Sequence, residues 1–256
     1  MDLVWIKLIL TPLAITAIAL AGRRWGPAVG GWIAGLPLTS GPASLYLALE
    51  QGRTFAATAA VNSLAGGAAV GGFCLAYAAA SHGGWIAGTV CGLSIFLCAA
   101  ALLRFLPLSL LPTFVAVTIL LAGVRFLLPL PDRGVDDLMA PWWDLPSRVV
   151  VATGIVFLLT EGAQTLGPRW SGLLAPFPLF VNVTVAFAHR NHGAQAGILV
   201  LRGTVMALFA FAVFFLVVGG LLPRIGIGWT YAIAAALAVT VNGFSLRGIH
   251  GNIEVD

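Results

Sequence analysis

The fifty residues from Thr54 to Leu103 contain no Asp, Glu, Lys or Arg. A spanning helix needs about 20 mostly apolar residues. This run is therefore too long for one crossing and reads as two, parted at Ser81-His82-Gly83-Gly84. The rest of the chain is of the same kind. Of its 256 residues 9% are charged and 60% hydrophobic, with a mean hydropathy of +1.01. A soluble domain carries about 25% charged residues and keeps much of its surface solvated. These figures exclude a soluble enzyme, a nucleic-acid-binding domain and a disordered chain. A formal net charge of +4 is ordinary in a membrane protein, where Lys and Arg set orientation, and does not make nucleic acid a partner.

Charge-free runs place the other helices. One covers 3–22 and ends at Arg23-Arg24; a second covers 27–49 and ends at Glu50 and Arg53. A fifth covers 107–128, and four more cover 147–166, 169–190, 195–222 and 228–247. The expected fold is all-α: a polytopic membrane protein of about nine transmembrane helices. Leu8 to Ala21 has the length of a signal-peptide core, but Asp2 offsets Lys7 and the segment belongs to the repeat below, so it reads as a retained first span. The one polar loop, Pro129 to Pro146, holds Asp132, Arg133, Asp136, Asp137, Asp144 and the pair Trp142-Trp143. Such a pair suits a membrane interface. Nine spans use about 180 residues, which leaves no room for a soluble domain. Lys and Arg on the alternate sides of nine spans number five and seven, favouring the N-terminus outside and the C-terminus inside.

A shift of 141 residues aligns the chain with itself. Gly26-Pro27 falls on Gly167-Pro168, Gly31 on Gly172, Ala34 on Ala175, Pro37-Leu38 on Pro178-Leu179 and Gly52 on Gly193. These are seven identities in 27 ungapped positions, where chance gives roughly two or three. Lys7 falls on Arg148; with three residues inserted, Gly84-Trp85 falls on Gly228-Trp229. The expected organisation is a first four-helix repeat over 1–106, a linking helix and polar loop over 107–146, and a second four-helix repeat over 147–256. Four spans and a fifth between the units make the second unit enter from the opposite side. That is an inverted-topology repeat, a plan common in secondary transporters.

Both units carry a proline break at the same place. Helix 2 reads Gly35-Leu36-Pro37-Leu38-Thr39-Ser40, and helix 7 reads Pro176-Phe177-Pro178-Leu179-Phe180-Val181-Asn182. Proline removes a backbone donor and clashes with the preceding turn. Interrupted backbone at membrane depth is tolerated only inside protein or along a cavity, and matched interruptions in two halves point to a transporter binding site. Pro37, Thr39, Ser40, Pro178 and Asn182 are the candidate substrate contacts; the plainer alternative is kinks needed for packing. Asn62 in helix 3 and Arg202 in helix 8 join the candidates as polar groups at depth. Asn62 and Asn242 also suit hydrogen bonding between helices, and Arg202 also suits snorkelling to headgroups. Glu161, roughly 20 Å along helix 6 from Arg148, is the proton-coupling candidate; its alternative is an interfacial end charge.

Cys74, Cys91 and Cys98 show no metal or disulfide spacing and read as small buried hydrophobes. His189 and His192, three apart, have no third ligand nearby and read as part of a solvated loop rather than a metal site. The Asp residues gather in one loop and at the termini, outside the membrane. No catalytic motif occurs. The chain is expected not to be an enzyme and to need no cofactor and no metal.

The stretch Gly31-Trp32-Ile33-Ala34-Gly35-Leu36-Pro37-Leu38-Thr39-Ser40, followed by Glu50-Gln51-Gly52-Arg53, resembles the GlpM-like small bacterial membrane proteins. The family looks like four helices with a Gly-Leu-Pro break in the second. The resemblance covers one half of the chain; in the second half Pro178 and Gly193 keep their places and Asn191 stands where the acid would be. It implies a fused, duplicated member in a bacterial inner membrane, and no substrate. The expected function is transport of a small neutral, amphipathic or mildly anionic solute, with its site at mid-membrane between helices 2 and 7. A channel-like pore and a non-catalytic membrane subunit of an envelope complex stay open as alternatives. The expected partners are the lipid bilayer, the solute and, as an option, a second copy in a homodimer.

Overall fold

The computed structural model describes residues 3–38, 40–130, 143–154 and 177–250. Thr39 and Glu161 lie outside the described residues. Every regular element among the described residues is helical. The order is α1 (Leu3–Trp25), α2 (Pro27–Ala34), α3 (Ser40–Glu50), α4 (Arg53–Ala80), a 3-10 turn (Ser81–Gly83), α5 (Gly84–Leu103), α6 (Leu110–Leu127), α7 (144–154), α8 (Leu179–Leu221) and α9 (Ile227–His250). Four stretches are long and apolar enough to cross a membrane: Arg53–Leu103, Leu110–Leu127, Leu179–Leu221 and Ile227–Phe244. Large apolar side chains on α5, α6 and α9 face outward, among them Leu102, Ile119, Phe126 and Val239, each more than half exposed. A soluble monomer does not present apolar surface on that scale; a lipid-facing one must.

The core forms around α8, which packs against α2, α4, α5, α6 and α9. Of its most apolar window 61% is buried, against 22% for α6 and for α9. This long helix turns a corner at Gly193, where φ is 85° and ψ 176°. Gly52, before α4, has nearly the same geometry, with φ 87° and ψ 166°. Only glycine occupies that region at low cost, because a Cβ would clash with the backbone. From each corner runs a helix of 28 residues, α4 in one case and 194–221 in the other.

The segment over 27–49 is two helices, α2 and α3, separated at Pro37. The Leu38 N–H donates to the Leu36 carbonyl at 2.7 Å, a γ-turn about Pro37, and the Gly41 N–H returns to the Pro37 carbonyl at 2.9 Å. At Pro178, with φ −78° and ψ 49°, the Leu179 N–H donates to the Phe177 carbonyl at 2.7 Å and the Asn182 N–H to the Pro178 carbonyl at 2.7 Å. The two prolines thus each precede a helix that opens through the same pair of bonds. At Pro37 the missing proline N–H explains the break between α2 and α3, and the γ-turn satisfies the neighbouring Leu38 N–H and Leu36 carbonyl.

α2 lies against the second segment of α8 at backbone contact distance. A Cβ built on Gly31 would sit 1.9 Å from the Val200 carbonyl oxygen, and one on Gly203 1.8 Å from that of Ala28. The Thr204 hydroxyl lies 3.1 Å from the Gly31 carbonyl oxygen and 2.9 Å from that of Val200. Small residues allow such approach, and without a hydrophobic drive in lipid, close packing is what joins helices. The hexapeptide Gly-Gly-Trp-Ile-Ala-Gly occurs at 30–35, in α2 and its end, and again at 83–88, where it also packs through a glycine: Gly88 abuts the Tyr77 ring of α4.

The cysteines correct one expectation. Cys74 is buried, but Cys91 and Cys98 are exposed on α5; an apolar run fixes neither thiol's facing. From the α2–α8 contact we predict that Gly31→Ala and Gly203→Ala each destabilise the protein by about 3 kcal/mol or more, as overpacking against unyielding backbone does. Gly123→Ala, whose Cβ meets nothing within 4 Å, leaves it unchanged. Thermal unfolding followed by tryptophan fluorescence checks the ranking.

Candidate functional site

The two breaks sit in different surroundings. Gly35, just before Pro37, presses on Thr204 and Ala207 of α8, and Gly41, just after it, on the Phe214 ring. Ser40 is buried at the start of α3. One turn on, the Ser44 and Tyr231 hydroxyls meet at 2.7 Å, tying α3 to α9. At the other break Phe177 meets Phe96 of α5 edge to face, with centroids 5.6 Å apart. Four residues past Pro178, Asn182 Oδ1 is buried, as is Thr184 Oγ1, and neither has a hydrogen-bond partner among the described residues. Buried polar atoms normally find one.

The remaining candidates are dispersed. Arg202 is buried, and its Nη1 donates to the Leu128 and Pro129 carbonyls at 3.0 and 3.1 Å. It satisfies the carbonyls at the end of α6, as a cation at a helix C-terminus does. Asn62 donates to the Thr58 carbonyl of its own helix at 3.2 Å and lines a cleft of about 500 Å³ between α4, the α5–α6 connection and the end of α8. Asn242 is buried in α9.

The densest polar constellation escaped the sequence reading. Asp144, placed there in a loop outside the membrane, is fully buried at the start of α7. Its carboxylate accepts from Arg23 Nη2 at 3.0 Å, from Arg148 Nε at 3.0 and 3.1 Å, and from Asn191 Nδ2 at 2.6 Å. Arg148 is nearly as buried and lies over the Phe187 ring at 5.1 Å. Next to Asn191, Arg190 stacks on Trp143 and Trp85 at 5.2 and 5.9 Å. The cluster joins the end of α1, the start of α7 and the corner of α8. A carboxylate taken out of water needs this many donors. The Asp144–Arg148 spacing of four residues was the available signal; Arg23 and Asn191, 121 and 47 residues away, gave none.

His189 also differs from expectation. It lies inside α8, buried, with Nδ1 3.3 Å from the Tyr77 hydroxyl and its ring edge-on to that of Tyr77. The helix continues to the Gly193 corner instead of fraying into a loop, which draws the His189 ring against α4. No cluster of three or more metal-ligating side chains occurs among the described residues.

The fold and these sites define a class: an all-α protein with membrane-length helices, proline turns at 37 and 178 and a buried ionic cluster. Comparison with protein-family models, curated proteins and solved structures returned no match for this chain.

The cluster yields a ranked prediction. Asp144→Ala strands Arg148 in a buried position and is expected to cost about 3–5 kcal/mol. Arg23→Ala removes a partner whose side chain is 32% exposed and should cost about 1 kcal/mol or less. Thermal denaturation of the two variants, side by side in one detergent, measures the gap.

Proposed function

We propose that the chain is a polytopic membrane transporter made of two inverted four-helix units, and that it moves a small neutral, amphipathic or mildly anionic solute. The observation that carries the reading is the match between the two breaks. Under the 141-residue shift Leu36, Pro37, Leu38 and Gly41 fall on Phe177, Pro178, Leu179 and Asn182. The γ-turn and the first helical bond recur on those equivalents. The glycine corners at Gly52 and Gly193 and the 28-residue helices that follow obey the same shift. Duplicated units with matched interruptions are the transporter pattern.

The ionic cluster supports the inversion. Arg23 ends α1 and Asp144 begins α7, so the finish of one unit's first helix meets the start of the other's. Asn191, at the α8 corner, reaches the same carboxylate. With α2–α3 counted as one crossing, four crossings separate Arg23 from Asp144 and bring the chain back to the same face. In this reading nine spans place the termini on opposite faces.

In this reading the solute binds at the breaks. Pro37 and Pro178 set the backbone turns at mid-depth, Ser40 and Asn182 add side-chain polarity, and Asn182 Oδ1 is the acceptor left for a ligand. Thr39 completes the first break, and Glu161 is the carboxylate proposed for proton coupling; both lie outside the described residues. The GlpM-like resemblance of the first unit fits the same plan, and a bacterial inner membrane is the location proposed with it.

Two experiments test the proposal. Reporters active on only one side of the membrane, fused to each terminus, should report opposite sides; the same side for both removes the inverted repeat. In proteoliposomes Pro37→Ala and Pro178→Ala should each cut solute counterflow at least tenfold while the amount of folded protein falls less than twofold. Equal losses of folded protein and of flux would make the prolines structural. An ohmic current in place of saturable counterflow would make the protein a channel.

A further inference from the structure

We infer that His189 binds and releases a proton inside the protein, and that Tyr77 and Thr89 are placed to accept its charged form. His189 is buried in the first segment of α8, within a stretch of membrane-spanning length. An ionisable side chain in such a place is costly unless its charge is met. Imidazole is the side chain whose charge changes near neutral pH. Its Nδ1 lies 3.3 Å from the hydroxyl of Tyr77, which is fully buried on α4. Gly88 of α5 abuts the Tyr77 ring, and Thr89, the next residue, borders its hydroxyl. Thr89 Oγ1 is buried and has no hydrogen-bond partner among the described residues. Three helices thus set an imidazole, a phenol and an alcohol in series.

The series has two hydrogen-bonding arrangements that differ by one proton. In neutral His189 Nε2 carries the hydrogen, and Nδ1 accepts from the Tyr77 O–H. A proton taken from the aqueous phase onto Nδ1 makes both ring nitrogens donors. Nδ1–H then donates to the Tyr77 oxygen. The Tyr77 O–H turns away, and Thr89 Oγ1 is the acceptor beside it. Loss of the proton reverses both turns. A hydroxyl serves here because it gives and takes at one atom. The charged state gives the Thr89 oxygen its partner; a purely structural His–Tyr contact has no use for it.

The other charged and titratable groups nearby are differently engaged. Arg23 and Arg148 pair with Asp144, and Arg190 stacks on Trp143 and Trp85. Cys74 is buried one turn before Tyr77 on α4, and His82, in the turn after α4, is exposed. His192, three residues past His189, is half-buried among the charges of Asp144, Arg148 and Arg23. It lies toward the Gly193 corner and offers the proton a way in. In the other direction Asn182 is two turns back along the same helix face, about 10 Å from His189. In a transporter, charging His189 would drive a step at the Pro178 turn. That role rests on the reading above; the proton site does not.

The full chain, isotope-labelled at the histidine ring nitrogens, is placed in phosphatidylcholine nanodiscs and titrated by magnetic resonance across about pH 5 to 8. The expected result is an imidazole signal that changes through this range and is missing from His189→Gln. Tyr77→Phe leaves the charged Nδ1–H without an acceptor and should weaken proton binding about tenfold. Thr89→Val keeps the shape but removes the acceptor that only the charged form needs, and should weaken it about threefold. Thr89→Ser, which restores the oxygen, should titrate like the unmodified protein. Circular dichroism at both ends of the range checks that each variant is folded. A His189 signal that stays constant overturns the site. A midpoint unmoved in Thr89→Val overturns the series and leaves a structural His–Tyr contact. The readout is proton binding, so a failed transport assay leaves it intact.

Discussion

The backbone contact between α2 and α8 is the constraint on which the rest of the structure depends. Two helices in lipid gain nothing from hiding apolar surface, since the tails around them are as apolar as their side chains. They gain from dispersion, which needs contact at van der Waals distance. Gly31 and Gly203 allow it, because a methyl group at either would occupy the place of a carbonyl oxygen. Thr204 adds a hydroxyl that lies within hydrogen-bond distance of the Gly31 carbonyl. With α2 seated, Gly35 sets the Pro37 turn against Thr204 and Ala207, and α3 starts from there toward Tyr231.

The ionic cluster does a different job at the ends of helices. Asp144 has no exposure, yet its partners come from the α1 terminus, from its own helix and from the α8 corner. A buried carboxylate of this kind adds little net stability over an apolar replacement, but it is costly to mispair. It gathers the end of α1, the start of α7 and the corner of α8 on one carboxylate. Arg148 and Arg190 add aromatic faces, so the cations there are held by ring contact as well as by charge.

Much of the fold was legible because lipid is an unforgiving solvent. Charge-free runs mark apolar helices, and Thr54 to Leu103 divided where the Ser81–Gly83 turn lies. Pro37 separates α2 from α3 for a reason local to the residue, the absent N–H, so position alone revealed it, and Pro178 stands just before the start of α8. Side-chain partnerships were not legible. Asp144 in a polar stretch looks solvated until Arg23 arrives from α1. His189 looks like a loop residue until the helix carries it against Tyr77, and Arg202 looks like a cavity cation until the α6 carbonyls claim it. Cys91 and Cys98 failed for a related reason: in a membrane protein, apolar neighbours say nothing about which face looks inward.

The glycine corners at residues 26, 52, 84 and 193 share φ between 85° and 94°. Gly26 and Gly193 each join two helical segments through a single residue, Gln51-Gly52 joins α3 to α4 through two, and one 3-10 turn precedes Gly84, so little slack lies between the rods. A loop of several residues can absorb a shift by small changes along its length; a one-residue corner can only pivot. Relative motion of α1 and α2, and of the two segments of α8, is therefore mechanical linkage, in which tilting one helix obliges its neighbour to move. For the same reason the chain has little room at these corners for inserted residues. Length variation is easier to accommodate in the connections after α5 and α8, where several residues separate the helices.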